Sequence, residues 1–116
     1  MLRYLFGFLL VASAVCAQSW NDRAGDVSFD KAELEARIVG KSITFFDDGE
    51  SLFADDGRYS YTYDGGATAY GKYQIKQDGV VCVDFDNGFA RCDRFVMAGE
   101  RLVLQTEKGE RFPVRN

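Results

Sequence analysis

The chain has 116 residues, a formal net charge of −4 and no histidine, which suits a single small domain with one modest hydrophobic core. The absence of histidine excludes histidine-based catalytic triads and zinc sites that contain histidine. The acidic balance argues against a nucleic-acid partner, because neutralising phosphate groups requires clustered lysine and arginine.

The N-terminus has the pattern of a secretory signal peptide. Arg3 supplies a short positive region, residues 5–15 form an apolar run too short to span a bilayer, and small residues lead up to Ala17. We predict cleavage after Ala17, so that residues 1–17 are removed, the protein is periplasmic or secreted, and no stable membrane anchor is left. The alternative is a lipoprotein acylated at Cys16, which we disfavour because Val15 precedes that cysteine where bacterial lipoproteins usually have Gly, Ala or Ser.

The segment after the predicted cleavage site, residues 18–28, is polar and lacks periodicity. We predict a flexible N-terminal arm there, because chain ends without an apolar pattern are seldom ordered. Trp20 is expected to pack against the domain rather than to serve as an exposed binding anchor. Residues 29–116 are predicted to form a single β domain.

One helix is predicted, over residues 30–39. Asp30 is a suitable N-cap, and Glu33 stands at the position that completes a capping box. Gly40 follows as a C-terminal stop signal. The apolar stripe of this segment is thin, so the helix is expected to pack on something larger rather than to stand alone.

From residue 41 onward the sequence is typical of β-structure, since apolar and polar residues alternate with a period of two and glycine-containing turns recur at short intervals. The pattern predicts an all-β fold, an antiparallel meander of seven or eight strands closed as a barrel or folded as a sandwich, with the one short N-terminal helix. Gly71 interrupts the alternation of a longer strand, which indicates a bulge or a close approach of two backbones.

The stretch around the turn at residues 86–88 (Asp-Asn-Gly) predicts a β-hairpin. A three-residue loop places Phe85 opposite Phe89, and the same register places Cys82 directly opposite Cys92. Opposed residues of this kind are close enough for a disulfide bond, and an oxidising compartment would allow it. Two free, buried cysteines are the alternative.

The predicted hairpin also places Arg91 and Asp93 on the face that carries its apolar valines and phenylalanines. If that face is the core, the two charges lie inside or at the mouth of a barrel, where they pair with each other or hold a polar group of a ligand. A bulge that slips the register, or a position at the rim, would make them surface charges. We favour the slip or the rim position.

Tyrosines supply the remaining candidate binding residues. Tyr59, Tyr61 and Tyr63 alternate along one predicted strand and therefore share a face, and Tyr70 and Tyr73 follow on the next strand. An exposed row of tyrosines would suit a sugar or a protein partner. We favour the alternative, in which the row belongs to the core and its hydroxyls reach the rim.

No catalytic residue, metal site or cofactor is predicted. With both mature cysteines bridged, no thiolate nucleophile is left. Residues 84–88 begin like an EF-hand calcium loop, but the glycine comes one position early and no glutamate follows at the required distance. A carboxylate pair of the kind used by glycosidases is the one catalytic arrangement left open.

The order of these features resembles small exported proteobacterial proteins of unknown function. The resemblance is carried by residues 34–42 (LEARIVGKS), 48–49 (DG), 56–59 (DGRY), 71–73 (GKY) and the hairpin with Cys82 and Cys92. Ser42 stands where that pattern has threonine, and Tyr73 stands where it has tryptophan. The resemblance implies a compact periplasmic β domain and supplies no catalytic residue. In architecture alone, the chain is also loosely similar to calycin-type barrels and to periplasmic lysozyme inhibitors.

The sequence therefore predicts a non-enzymatic binding or interaction module, with a protein or a cell-envelope glycan as its partner. A small-ligand-binding barrel of calycin type, with Arg91 and Asp93 at its mouth, is the second hypothesis, and a carboxylate-based glycosidase is the third. A filled interior would favour the first hypothesis, and a deep apolar pocket would favour the second.

Overall fold

The computed structural model describes residues 20–115; the predicted signal peptide over residues 1–17, its cleavage site and Cys16 lie outside the described residues. The elements of the described chain are β1 (Asp26–Ser28), α1 (Lys31–Ile38), β2 (Lys41–Thr44), β3 (Glu50–Phe53), β4 (Arg58–Thr62), β5 (Thr68–Ile75), β6 (Val80–Phe85), β7 (Ala90–Ala98), β8 (Arg101–Thr106) and β9 (Arg111–Pro113). The fold is all-β with one short helix, as predicted.

The strands form one antiparallel sheet in which β2 to β9 follow each other in chain order. The sheet curls into a half-barrel, so that its first and last strands approach each other. Phe45, just beyond β2, forms an antiparallel bridge with Val114, just beyond β9, and the N–H of Arg115 donates to the carbonyl of Thr44 at 2.8 Å. The architecture is therefore a single curled meander, which is the barrel-like alternative rather than the sandwich.

The flexible arm predicted for residues 18–28 requires a correction, because the end of this segment forms β1 and pairs with β7. The guanidinium of Arg111 in β9 donates to both carboxylate oxygens of Asp26, at 2.7 and 3.1 Å. These two bonds lower the pKa of Asp26 below its usual value. The segment looked structureless because Asp26 and Arg111 are separated by 85 positions along the chain.

Residues 20–22 lie against β7 and β8. The carboxylate of Asp22 pairs with Arg94 and accepts a hydrogen bond of 3.1 Å from the amide of Gln105, which is fully buried. The guanidinium of Arg94 also lies 5.4 Å from the ring centre of Trp20. The expectation that Trp20 packs against the domain is confirmed.

The helix begins and ends as its sequence predicts. The backbone N–H of Glu33 donates to the side chain of Asp30 at 2.8 Å, and the N–H of Asp30 donates to the side chain of Glu33 at 3.1 Å, which is a complete capping box. Leu34 and Ile38, four residues apart on one face, are fully buried. The helix is therefore held to the sheet by its apolar stripe.

The interior of the half-barrel is filled by side chains. Phe53 lies in this core, with the rings of Tyr59, Tyr73 and Phe95 at 5.1, 5.2 and 6.3 Å from its own. The other buried members of the same cluster are Leu34, Ile38, Ile43, Phe45, Ile75, Val81, Val83, Leu102, Leu104 and Val114. Together they join the helix and both margins of the sheet into one core.

The hairpin of β6 and β7 has the predicted register. Cys82 lies opposite Cys92 and Val83 lies opposite Arg91, and the two cysteine sulfurs are 2.05 Å apart, in a disulfide. Gly88 takes a φ of 89°, the left-handed conformation that a three-residue loop of this kind requires. Of the two alternatives that we favoured for Arg91 and Asp93, a register slip or a position at the rim, the slip is wrong, because no extra residue interrupts the pairing.

Gly71 of β5 marks a close approach of two backbones, as its sequence position indicates. It pairs with Phe85 of β6, and a β-carbon at this position would overlap the carbonyl oxygen of Asp84. Only glycine allows β5 and β6 to come this close without a shift of one strand.

Candidate functional site

The turns of the meander alternate between two ends of the half-barrel. We call one end the open end; its turns comprise residues 45–49, 63–67, 86–89 and 107–110. The helix enters β2 at the opposite end and packs against β2 and β5. Interior side chains therefore reach solvent at the open end, where the charged pair and several aromatic side chains meet.

A line of polar groups crosses the interior just below this opening. Nε of Arg91 lies 3.0 Å from Oδ2 of the buried Asp93, and Nη2 of Arg91 donates to the hydroxyl of Tyr59 at 3.4 Å. That hydroxyl shares a hydrogen bond of 2.9 Å with the side chain of Ser51. The N–H of Nε is buried and finds no acceptor in residues 20–115, so its contact with Asp93 is an ion pair without an aligned hydrogen bond.

The charged pair thus lies on the core face of β7. Burial raises the pKa of Asp93 from 3.8 to about 6, and the positive charge of Arg91 opposes that rise. Arg91 extends from the interior to the rim and keeps 38% of its side chain exposed. The structure therefore places Asp93 inside the half-barrel and Arg91 at its mouth.

Two aromatic rings lie beside the guanidinium of Arg91. It lies 5.9 Å from the ring centre of Tyr61 and 5.8 Å from that of Phe85, distances at which a cation is attracted to a ring face. Tyr63 packs on Tyr61 at 4.9 Å, and Phe89 lies 6.0 Å from Phe85. We call the set around Arg91 the aromatic rim: Tyr61, Tyr63, Phe85, Phe89 and Phe112.

The outer members of the aromatic rim are open to solvent. Tyr63 is 56% exposed and Phe89 is 62% exposed. Single exposed apolar residues are ordinary, but several in one place mark a surface that contacts something else. The rim is therefore a candidate binding surface.

A small recess opens beside Arg91. Its volume is about 110 Å³, and it is lined by Phe45, Asp47, Tyr61, Arg91, Leu104, Thr106 and Phe112. A broader depression of about 540 Å³ runs along residues 89–93 and the β8–β9 turn, and it shares Arg91, Thr106 and Phe112 with the recess. The two hollows therefore adjoin at the open end and form one continuous surface.

Carboxylates stand around this surface. The turns of the open end carry Asp47, Asp48, Asp64, Asp86, Glu107 and Glu110, together with Lys108. Asp48 is paired with Arg115 at 2.7 Å, and Asp47 is held in place by the N–H of Gly49, which donates to its Oδ1 at 2.9 Å. Burial raises the pKa of the Tyr61 hydroxyl, and the charge of Asp47 raises it further.

The structure divides the five candidate tyrosines. Tyr59 is buried, Tyr61 is partly buried and Tyr63 is exposed, so the row runs from the core to the open end. Tyr73 points into the core and donates its hydroxyl to the carbonyl of Ala54 at 2.7 Å, at the opposite end. Tyr70, 63% exposed, is opposite Ser60 on the outer face of the sheet. Tyr59 and Tyr61 thus contact Arg91, and Tyr63 joins them through its contact with Tyr61, whereas Tyr70 and Tyr73 lie elsewhere.

Sequence reasoning missed several members of the site. Phe85 and Phe89 were recognised as a cross-strand pair but not as binding residues, although aromatic residues beside a turn are a usable signal of an exposed rim. Asp47 was indistinguishable from an ordinary turn residue. Phe112 lies in the last strand, and nothing local indicates that it reaches the same recess as Asp47.

Comparison of the chain with protein-family models, with curated proteins and with solved structures found no match. The resemblance to small exported proteins stays a prediction. Within residues 20–115, no helix is long and apolar enough to cross a membrane. No group of three or more acidic or cysteine side chains in the same part of the chain is placed to hold a metal ion.

Proposed function

We propose that the protein is a non-enzymatic binding module, exported to the periplasm or the cell exterior, that binds a cell-envelope glycan at the open end of its half-barrel. The observation that carries this proposal is the exposed aromatic rim, which stands beside hydrogen-bonding side chains while the interior is filled. A partner then meets a surface of the molecule rather than entering it.

The chemistry of the open end suits sugars. Aromatic rings provide flat apolar faces with large contact area, against which the C–H faces of a sugar ring can pack. Carboxylates accept hydrogen bonds, and arginine and tyrosine donate them, so sugar hydroxyls find partners around the rings. The two adjoining hollows beside Arg91, of about 110 and 540 Å³, give a sugar a concave surface to lie against.

The two other predicted modes of binding fit less well. A calycin-type barrel needs an interior cavity, typically about 300–1,000 Å³ for a drug-sized ligand, whereas this interior is occupied by the core and the recess at its mouth measures about 110 Å³. A protein partner is the second candidate, because aromatic residues and arginine are enriched at the centres of protein interfaces.

The lack of catalysis is part of the proposal. The chain has no histidine, its two mature cysteines are bridged, and the buried carboxylate of Asp93 is paired with Arg91. A glycan incubated with the protein should therefore be recovered intact; release of soluble fragments would favour the glycosidase hypothesis instead.

The proposal is tested by co-sedimentation of the chain, without its predicted signal peptide, with purified insoluble peptidoglycan. The unaltered protein should pellet with the glycan, and the double variant Tyr63→Ala, Phe89→Ala should bind about tenfold more weakly, which corresponds to about 1.4 kcal/mol. Tyr70→Ala is the matched comparison, since Tyr70 is equally exposed but lies on the outer face.

Failure of the unaltered protein to pellet would overturn the glycan proposal. An equal loss in Tyr70→Ala would place binding on the outer face and overturn the role of the aromatic rim. If the chain pellets with crude cell walls, which still carry bound protein, but not with purified peptidoglycan, the protein partner is favoured.

A further inference from the structure

We infer that the recess beside Arg91 receives the acetamido group of an N-acetylated hexosamine. This inference rests on the proposed function and deepens it, because it names the class of sugar that the open end selects. It follows from three properties of the recess, which are its opposed charges, its apolar walls and its size.

The charges that line the recess argue against an ionic ligand group. Arg91 would attract a carboxylate or a phosphate, but Asp47 lines the same recess and Asp93 lies 3.0 Å from Arg91. Asp47 would attract an ammonium group, but Arg91 opposes it. Opposed charges across one small space favour a neutral group with a strong dipole, and an amide has its donor and its acceptor at opposite ends.

Arg91 has hydrogen-bond donors available to a ligand, and Asp47 has acceptor capacity available to it. A guanidinium has five N–H groups, and the polar neighbours of Arg91 within residues 20–115 are Asp93 and Tyr59. An amide carbonyl therefore finds N–H donors at Arg91. Asp47 accepts one backbone hydrogen bond, at Oδ1, and its carboxylate retains capacity to accept the amide N–H.

The apolar walls and the volume account for the methyl group. Phe45, Leu104 and Phe112 line the recess together with the polar groups. Its volume of about 110 Å³ is several times the roughly 10–15 Å³ of cavity volume that one water molecule needs. The recess is therefore large enough for a group of a few heavy atoms, such as acetamide. The ring itself would then lie outside, against the aromatic rim and along the depression beside residues 89–93.

The test is a calorimetric titration of the chain, without its predicted signal peptide, with three soluble trisaccharides. Tri-N-acetylchitotriose carries acetamido groups, cellotriose carries hydroxyls in their place, and the fully deacetylated chitosan trimer carries ammonium groups. Tri-N-acetylchitotriose should bind at least about tenfold more tightly than either of the others, because only its amide satisfies both sides of the recess.

Two aspartate variants test whether the acetamido group binds beside Asp47. Asp47→Ala should weaken the binding of tri-N-acetylchitotriose about tenfold, whereas Asp56→Ala should leave it unchanged. Asp56 is the matched control because it also belongs to an Asp-Asp-Gly turn and accepts a backbone hydrogen bond two residues on, at 3.1 Å from the nitrogen of Arg58, but it lies at the opposite end. Melting temperatures of both variants, measured alongside, separate lost binding from lost folding.

Equal binding of tri-N-acetylchitotriose and cellotriose would overturn this inference and leave the proposed glycan binding intact. Tighter binding of the chitosan trimer would overturn it too, because the carboxylates would then be recognising a cation. Co-sedimentation with peptidoglycan without any binding of tri-N-acetylchitotriose would likewise contradict the acetamido site alone, whereas absence of co-sedimentation contradicts the proposed function itself.

Discussion

Asp93 is a carboxylate that the fold places in its interior, and Arg91 is the side chain that favours its charged form there. A carboxylate in such a place stays charged only if a neighbouring cation offsets part of the cost of its burial. Here the offset is incomplete, so the pKa of Asp93 is raised to about 6. The pair therefore links the stability of the fold to pH and, through Arg91, to the geometry of the open end.

Replacing Asp93 by Asn should change how stability depends on pH. Below pH 3.8 Asp93 is protonated in both the folded and the unfolded chain; between 3.8 and about 6 the unfolded chain loses this proton while the folded chain keeps it. The contribution of Asp93 to the free energy of unfolding is therefore largest at low pH, and it falls as the pH rises from 3.8 to about 6. Relative to the unaltered protein, Asp93→Asn should gain about 2–3 kcal/mol between pH 4 and pH 7.

The measurement is urea unfolding of both proteins at several pH values. The difference between their free energies of unfolding should change between pH 4 and 7 and be constant from pH 7 to 8. Two parallel profiles would show that Asp93 titrates normally in the folded protein.

Replacing Arg91 by Ala should destabilise the protein, and more so at pH 8 than at pH 5. The variant leaves Asp93 buried without its counter-ion, a change that costs about 3–5 kcal/mol in fully buried pairs. Arg91 is partly exposed, so water already screens the pair and we expect about 1–3 kcal/mol. Urea unfolding at the two pH values checks this, and unchanged stability at pH 8 would mean that the pair contributes nothing to the fold.

At the scale of the elements, each element that the sequence predicted correctly depends on a short-range sequence signal. The capping box of Asp30 and Glu33 fixes the start of α1, and the turn at residues 86–88 fixes the register that joins Cys82 to Cys92. Strand β1 obeys no such local rule, because it depends on pairing with β7 and on an arginine far along the chain. Long-range pairing of this kind leaves no periodic signal in three residues.

Gly71→Ala should destabilise the protein by about 1–3 kcal/mol, because the added methyl group forces β5 and β6 apart where they are already in contact. Gly65→Ala is the matched control, since a β-carbon there meets nothing within 4 Å. Thermal unfolding of both variants compares them directly. Equal melting temperatures would show that the two backbones have room to separate at no cost.

At the scale of the whole molecule, the meander has two unlike ends. The helix packs at one end, and the other gathers the turns that carry the aromatic rim and the carboxylates. The all-β class and the Arg91–Asp93 pair were within reach of the sequence, because period-two alternation and hairpin register are local. The site as a whole could not be predicted from the sequence, because Asp47 and Phe112 meet only when the curled sheet brings β2 and β9 together.

The measurement that tests the account most directly is an amide NMR titration of the chain, without its predicted signal peptide, with soluble peptidoglycan fragments. We predict saturable chemical-shift changes in the turns of the open end and around Arg91, with no change in Lys31–Ile38 or in the turn at residues 76–79, both of which lie away from the open end. Shifts confined to the helix end or to the outer face, or no shifts at saturating glycan, would contradict binding at the open end.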